Sequence, residues 1–280
     1  MAKKNCILLV DNGSYKASSV LSLRRIARDL SKYSGYSVHP VSLLHSTKID
    51  PDELDGVPAD IVEPFFVEKI SKGIDSFLVV PLFYGRSAAI YEYLPQRVTA
   101  MKKEFTNLEV RIADPLVDIR NTKNDDIAQI LADLIRDKIS ENTLKLPSVA
   151  LVDHGTPRKQ VNDVRNFIAG QLQDILSNEV SELKPSSMEC RPEPEYEFNR
   201  PLLEDLLGSD GYTSDVIISM LFISPGRHAG EGGDIHTICL ESEKQNEGLK
   251  TYMSGLLSDH QEIIKILDSR LKEGMDLLPI

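Results

Sequence analysis

The sequence predicts an α/β protein of two similar lobes, each a small parallel sheet with helices on both faces. Two observations carry that expectation. The chain repeats itself at a shift of about 140 residues. Its strand-like runs are also apolar throughout rather than alternating, as strands covered on both faces by helices must be. Size agrees: 280 residues, 41% hydrophobic and 27% charged, suit two domains with real cores.

Taken in order, "CILLVDNGSYK" (6–16) and "VALVDHGTPRK" (149–159) are each an apolar strand ending in Asp-x-Gly-Ser/Thr. The stretches after them, "VLSLRRIARDLSKY" and "VRNFIAGQLQDILS", place apolar residues at spacings of three and four, the helical period. Next, "FLVVPLFYGRSAAIYEYLP" (77–95) matches "VIISMLFISPGRHAGEGGDI" (216–235), an apolar strand followed by a Gly-Arg turn. Last, "LEVRIADPLV" with "DDIAQILADLIRDKI" matches "LKTYMSGLLS" with "QEIIKILDSRLKE", a short strand and a closing helix. The polar stretch "SENTLKLPS" (140–148) separates the copies, giving expected domains at 1–143 and 146–280.

Bulk properties exclude several functions. The net charge of −11 disfavours nucleic acid, whose phosphates reward a basic face. No apolar run has the length of a membrane span, and the start "MAKKNCILLVDNGS" lacks the apolar region of a signal peptide, so a cytoplasmic protein is expected. Three scattered cysteines (Cys6, Cys190, Cys239) form no CxxC pair, which argues against a disulfide framework or a structural zinc site. Neither GxxxxGK[ST] nor GxGxxG is present, and no G-x-S-x-G supports Ser14 or Thr156 as a nucleophile.

In parallel sheets ligands bind beyond the carboxyl ends of the strands. His154 and His228 both fall there in the second copy, where the first copy has Asn12 and Ser87. Either histidine alone reads equally well as a turn residue; together, at equivalent strand ends, they read as a functional pair. Glu189 lies at what looks like a further strand end, within the Pro-rich "SSMECRPEPEYEFNRPLLEDLL" (186–207), and also reads as a solvated loop residue. His45, in "SLLHSTKID", takes the matching place in the first copy. His39 reads as structural, His236 as a solvated loop residue, and His260 as opening a helix without a role. The glycines of "DHGT" and "PGRHAGEGGD", Gly155 and Gly226 among them, suit close backbone approach to something flat or bulky.

"LVDHGT" and "LFISPGRHAGEGGDI" resemble the two signature segments of the class II sirohydrochlorin chelatases, the CbiX/SirB-type cobaltochelatases and ferrochelatases. The resemblance covers essentially the whole chain in the two-repeat form of that family, and implies a chelatase-like, flavodoxin-related fold, monomeric or homodimeric. It implies that His154 and His228 bind the metal and serve its exchange for pyrrole protons, assisted by Glu189. The chain departs from the family in the extra glycines before Asp234, in His236 where proline is usual, and in the longer "RPEPEYEFNRP".

The residue types suit that chemistry. Imidazole binds Co(II), Fe(II) and Ni(II) and titrates near neutral pH, and a carboxylate adds charge for the dication. Arg158, Arg191 and Arg227, close in sequence to the three ligands, are expected to fork onto the carboxylates of the tetrapyrrole, with Gly155 and Gly226 beside them. No organic cofactor is expected, and the metal, Co(II) or Fe(II), enters as a substrate. The cobalamin and sirohaem pathways stay open, and so does a second function: a non-catalytic metal- or tetrapyrrole-binding protein on the same scaffold.

Overall fold

A computed structural model of the chain describes residues 5–230 and 232–280. The first sheet contains β1 (Cys6–Asp11), β2 (Val38–Ser42), β3 (Ser76–Pro81) and β4 (Glu109–Ile112), all parallel, in the order β2-β1-β3-β4. The second contains β5 (Ser148–Asp153), β6 (Glu182–Ser187), β7 (Asp215–Met220) and β8 (Lys250–Met253), parallel in the equivalent order β6-β5-β7-β8. The fully buried interiors of β1, β3, β5 and β7 explain their unbroken apolar runs. The expected fold class is the observed one.

Helix α1 (Ala17–Ser34) shows how periodicity becomes packing. Its buried residues Val20, Leu23, Ile26, Ala27 and Leu30 recur at helical spacing on one stripe, and Gly35 ends it in the left-handed conformation with its N–H on Ser31 O. Leu30 is fully enclosed, so truncating it to alanine is expected to cost about 3 kcal/mol. On the opposite face of this sheet, α2 (Val62–Ser71) and α3 (Leu94–Met101, entered through a π-turn at 89–93) pack Phe66, Ile90, Leu94 and Val98 onto Leu8, Val10 and Val79.

In the second lobe, α5 (Lys159–Ile175) runs against β5 and β6. The other face carries the single turn α6 (Leu203–Leu206) and α7 (Asp234–Gln245), joined in one core with Ala150, Val152, Val216 and Ile218. His236 lies on α7 rather than in a loop, its Nδ1 accepting the Gly232 N–H at 3.0 Å. His260 follows a 3-10 turn instead of opening a helix, and its Nε2 is 3.7 Å from Asp133.

The compact units are not the two sequence halves expected at 1–143 and 146–280. One unit comprises residues 1–118 and 261–280, the other 119–260. Helix α4 (Asp126–Asn142) follows β4 in sequence but packs against α5 and β7, and Arg136 pairs there with Glu179 at 2.7 Å. Helix α8 (Ile263–Met275) follows β8 but packs on α1 and β3, with Arg270 donating to Pro115 O at 2.9 Å. Both helices carry the same kind of apolar stripe (Ile127, Ile130, Leu131, Leu134 and Ile263, Ile266, Leu267, Leu271), so either sheet can bury either stripe.

No helix among the described residues is long and apolar enough to cross a membrane. All three cysteines are free; burial pushes the Cys6 and Cys239 thiols up to about 11, leaving them inert packing groups.

Candidate functional site

Strand β5 pairs with β6 on one side and β7 on the other, so the chain reverses direction across the sheet between β5 and β7. This switch point is where an open α/β sheet leaves a crevice. His154 emerges just past β5 and His228 in the loop past β7. Their rings meet edge to face with centroids 4.5 Å apart. The structure therefore brings the two histidines singled out from the sequence into contact.

The turn holding His154 is built by the backbone. Gly155 sits at φ +94, where a Cβ would lie 2.1 Å from Glu189 O, so only glycine fits. The same approach brings Glu189 to the histidine: Glu189 N–H donates to His154 O at 3.2 Å, and Glu189 Oε1 stands 3.6 Å from His154 Nε2. His154 Nδ1 lies 3.2 Å from Gly155 O, and His228 Nδ1 lies 2.6 Å from Asp234 Oδ2. Carbonyl and carboxylate oxygens only accept, so these partners place the proton on each Nδ1. In the neutral ring each Nε2 then carries the lone pair. Side-chain exposures of 43% for His154 and 29% for His228 keep both rings within reach of a ligand. Among the described residues, no three His, Cys, Asp or Glu side chains are gathered into a ready metal cage.

Behind His154 stands a buried polar network that the sequence reading missed. Asp153 Oδ1 accepts from Gly155 N–H at 3.1 Å and from the Ser187 hydroxyl at 2.6 Å. Arg165, only 2% exposed on α5, places its guanidinium 3.5 Å from the same oxygen. It also donates to Ser187 Oγ and to Asn199 O. Burial lowers the Arg165 pKa, and the Asp153 charge opposes that shift. The buried Asn199 completes the frame, accepting from Thr156 N–H at 3.0 Å and donating to Thr156 O at 2.9 Å. The turn bearing His154 is thus fastened on both sides. A signal was available: counted from the aspartates, Arg165 falls where the first copy has the core residue Leu23.

Asp234, also unassigned from sequence, is the hydrogen-bond partner that orients His228. Arg227 Nε approaches the same carboxylate at 3.7 Å, with its side chain 77% exposed. Arg191 lies over the Tyr196 ring, 5.2 Å from its centroid, and Arg158 stands at the N-cap position of α5 with no side-chain capping bond. Gly226 N–H closes the β7 loop on Ala229 O at 3.1 Å. A cavity of about 480 Å³ opens beside α7 and β8, lined by Met220, His236, Cys239, Glu243 and Met253; neither His154 nor His228 lines it.

The first lobe repeats the glycine turn without the two histidines. Gly13 (φ +87) lies against Leu44 O, so Leu44 occupies the place of Glu189. His45, expected from the sequence at that place, falls one residue later.

A family model for CbiX matches residues 6–138 and 148–274, one copy in each half of the chain. No curated protein matches. Among solved structures, SirB from Bacillus subtilis with Fe3+ superposes with a TM-score of 0.66 at 17% identity, covering 98% of this chain and 96% of that one. The sirohydrochlorin chelatase SirB from Bacillus subtilis subspecies spizizenii in complex with cobalt gives 0.65 at 16% identity, covering 97% and 95%. A CbiX described as the terminal enzyme of sirohaem biosynthesis in denitrifying bacteria gives 0.59 at 14% identity, covering 96% and 99%. At these identities the likeness is one of fold.

Proposed function

The chain belongs to the CbiX family, and from that premise we propose that it is a metal chelatase inserting Co(II) or Fe(II) into sirohydrochlorin, with the chemistry in the second lobe. One observation carries the reading: at the switch point two imidazoles meet with centroids 4.5 Å apart, each with its Nδ1 engaged by an oxygen, and the Glu189 carboxylate lies 3.6 Å from His154 Nε2. Imidazole nitrogen and carboxylate oxygen suit a first-row dication.

Insertion exchanges one dication for two pyrrole N–H protons. His154 and His228 hold the arriving metal through Nε2. Asp234 keeps His228 in the tautomer that makes this possible. Glu189, 64% exposed, adds negative charge toward the metal and takes up one released proton, the other passing to solvent. Arg158, Arg191 and Arg227 supply cations for the substrate's carboxylates, and Gly155 and Gly226 keep the backbone low beneath the macrocycle. No organic cofactor takes part, and the reaction runs in the cytoplasm.

The test is an anaerobic assay with sirohydrochlorin and each metal in turn, followed by the absorbance change of insertion. The wild type is expected to exceed the spontaneous rate with at least one metal, and His154→Ala and His228→Ala to lose that excess. Tight binding of metal or tetrapyrrole with no acceleration for either metal would instead identify a binding protein and end the chelatase reading.

A further inference from the structure

The segment "RPEPEYEFNRP" (191–201) folds back on the turn that bears His154. Its 3-10 turn, Pro194–Asn199, ends in an asparagine only 1% exposed. Asn199 Oδ1 accepts the Thr156 N–H at 3.0 Å, while Nδ2 donates to Thr156 O at 2.9 Å and to Tyr196 O at 3.1 Å. The acceptor and both donors of the carboxamide are thus engaged, and they fix the chain two residues past His154.

Arg165 grips the other end of the same turn. A guanidinium carries five N–H donors in one rigid plane. Here they reach Ser187 Oγ, Asn199 O at 3.1 Å, Phe198 O at 3.3 Å and Asn166 Oδ1 at 3.1 and 3.2 Å, with Asp153 Oδ1 at 3.5 Å. Asp153 immediately precedes His154, and Ser187 stands two residues before Glu189. One buried cation therefore ties the end of β5, the end of β6 and the segment 191–201 together. Just past those two strand ends stand His154 and Glu189, 3.6 Å apart.

Stability alone does not call for this arrangement. Replacing a buried ion pair by well-packed apolar residues is often neutral, or stabilising by about 1–4 kcal/mol. The first lobe has an apolar residue there: Leu23, 2% exposed, stands at the place of Arg165. The second tie is missing from that lobe too. Ser42 N–H donates to Asp60 O as Ser187 N–H donates to Pro201 O, and two residues earlier the first lobe has Pro58 against Asn199. Arg165 and Asn199 thus occur together in the lobe that has His154 and Glu189. The lobe that has Asn12 and Leu44 lacks both. We propose that Arg165 and Asn199 are positioning residues, which set the placing of the His154 and Glu189 donors and thereby the affinity and coordination geometry of the bound dication. This role rests on the chelatase reading above, and both side chains act through the backbone of the turn.

The experiment titrates Co(II), without tetrapyrrole, into the full-length wild type, Arg165→Lys, Asn199→Ala and Leu172→Ala, at a temperature where circular dichroism shows each to be folded. Calorimetry reads the affinity, and the visible d–d bands of bound Co(II) read its coordination. Leu172, fully enclosed on the same helix α5, is the control that lowers Tm without cutting a tie. Asn199→Ala keeps the Arg165–Asp153 pair, and so removes a tie without stranding a buried charge. Losing a group that orients a metal ligand costs about 10- to 100-fold in affinity. Kd for Co(II) is expected to rise by about that factor in Arg165→Lys and Asn199→Ala, with the d–d bands displaced, and to stay within about twofold in Leu172→Ala. In the insertion assay the same two variants should lose saturating rate, with KM for sirohydrochlorin within about twofold of the wild type. If His154→Ala abolishes Co(II) binding while Arg165→Lys and Asn199→Ala keep the wild-type Kd and bands, or if Leu172→Ala weakens binding as much as they do, the positioning role is wrong and the metal site stands. If the wild type binds no Co(II), or His154→Ala binds it equally well, both fall.

Discussion

Asp11 and Asp153 end the first strand of each lobe, and each accepts the N–H of the glycine two residues on. Their surroundings differ most in one side chain. Asp153 has the buried guanidinium of Arg165 at 3.5 Å, whereas twelve residues after Asp11 the chain has Leu23, 2% exposed. With no such cation and only the Ser42 hydroxyl and backbone N–H groups to help, burial pushes Asp11 up to about 6. The same fold thus keeps the aspartate before His154 in an ion pair and leaves the one before Asn12 without one. Repeat copies diverge at the groups behind a site as well as at the site.

The comparison can be broken in several places, beginning with the largest effect. Arg165→Leu writes the first lobe's residue into the second and strands Asp153. A loss of about 3 kcal/mol is expected by denaturant unfolding at pH 7, because the buried Asp153 carboxylate is left without its cation. An unchanged midpoint would mean that the buried pair does not hold the turn.

His154→Asn turns "VDHGT" into the first lobe's version of the motif. At least a hundredfold loss of insertion rate is expected with the Tm kept within a few degrees, because Asn12 already occupies the same turn without harm. A smaller effect is expected of Asp234→Asn, which leaves His228 in place but frees its tautomer. Metal affinity should fall about 10- to 100-fold by titration calorimetry.

The smallest effect falls in the first lobe. A folded pKa of about 6 against an unfolded value near 3.9 means that the folded chain holds the Asp11 proton more tightly. Its contribution to stability therefore declines as pH rises from about 4 to about 6 and stays low above that. Asp11→Asn, neutral throughout, should remove this slope and gain about 1–2 kcal/mol at pH 7.5. Asp153→Asn should lose stability at the same pH. Equal responses from the two variants would erase the distinction between the lobes.

Much of the site was legible in the sequence because one copy could be read against the other. His154 against Asn12 and His228 against Ser87 are differences at matched turns, and the structure brings those two histidines into contact. Glu189 was legible as a strand-end residue, and its approach to His154 follows from Gly155. Asp234 and Arg165 were not read as site residues: one acts through a loop whose path sequence spacing does not give, the other from within a helix whose stripe looked merely amphipathic.

The sequence by itself determined the two similar parallel sheets and the turns that end their strands. These depend on local apolar runs, helical periodicity and glycines at positive φ, all properties of neighbouring residues. Only the tertiary structure decided which sheet each closing helix covers and which buried cation meets which buried anion. Helices α4 and α8 carry equivalent apolar stripes, and two equivalent sheets compete for them, so periodicity has no means of choosing. The pairing of Arg165 with Asp153 likewise exists only once distant segments are packed, because it depends on burial.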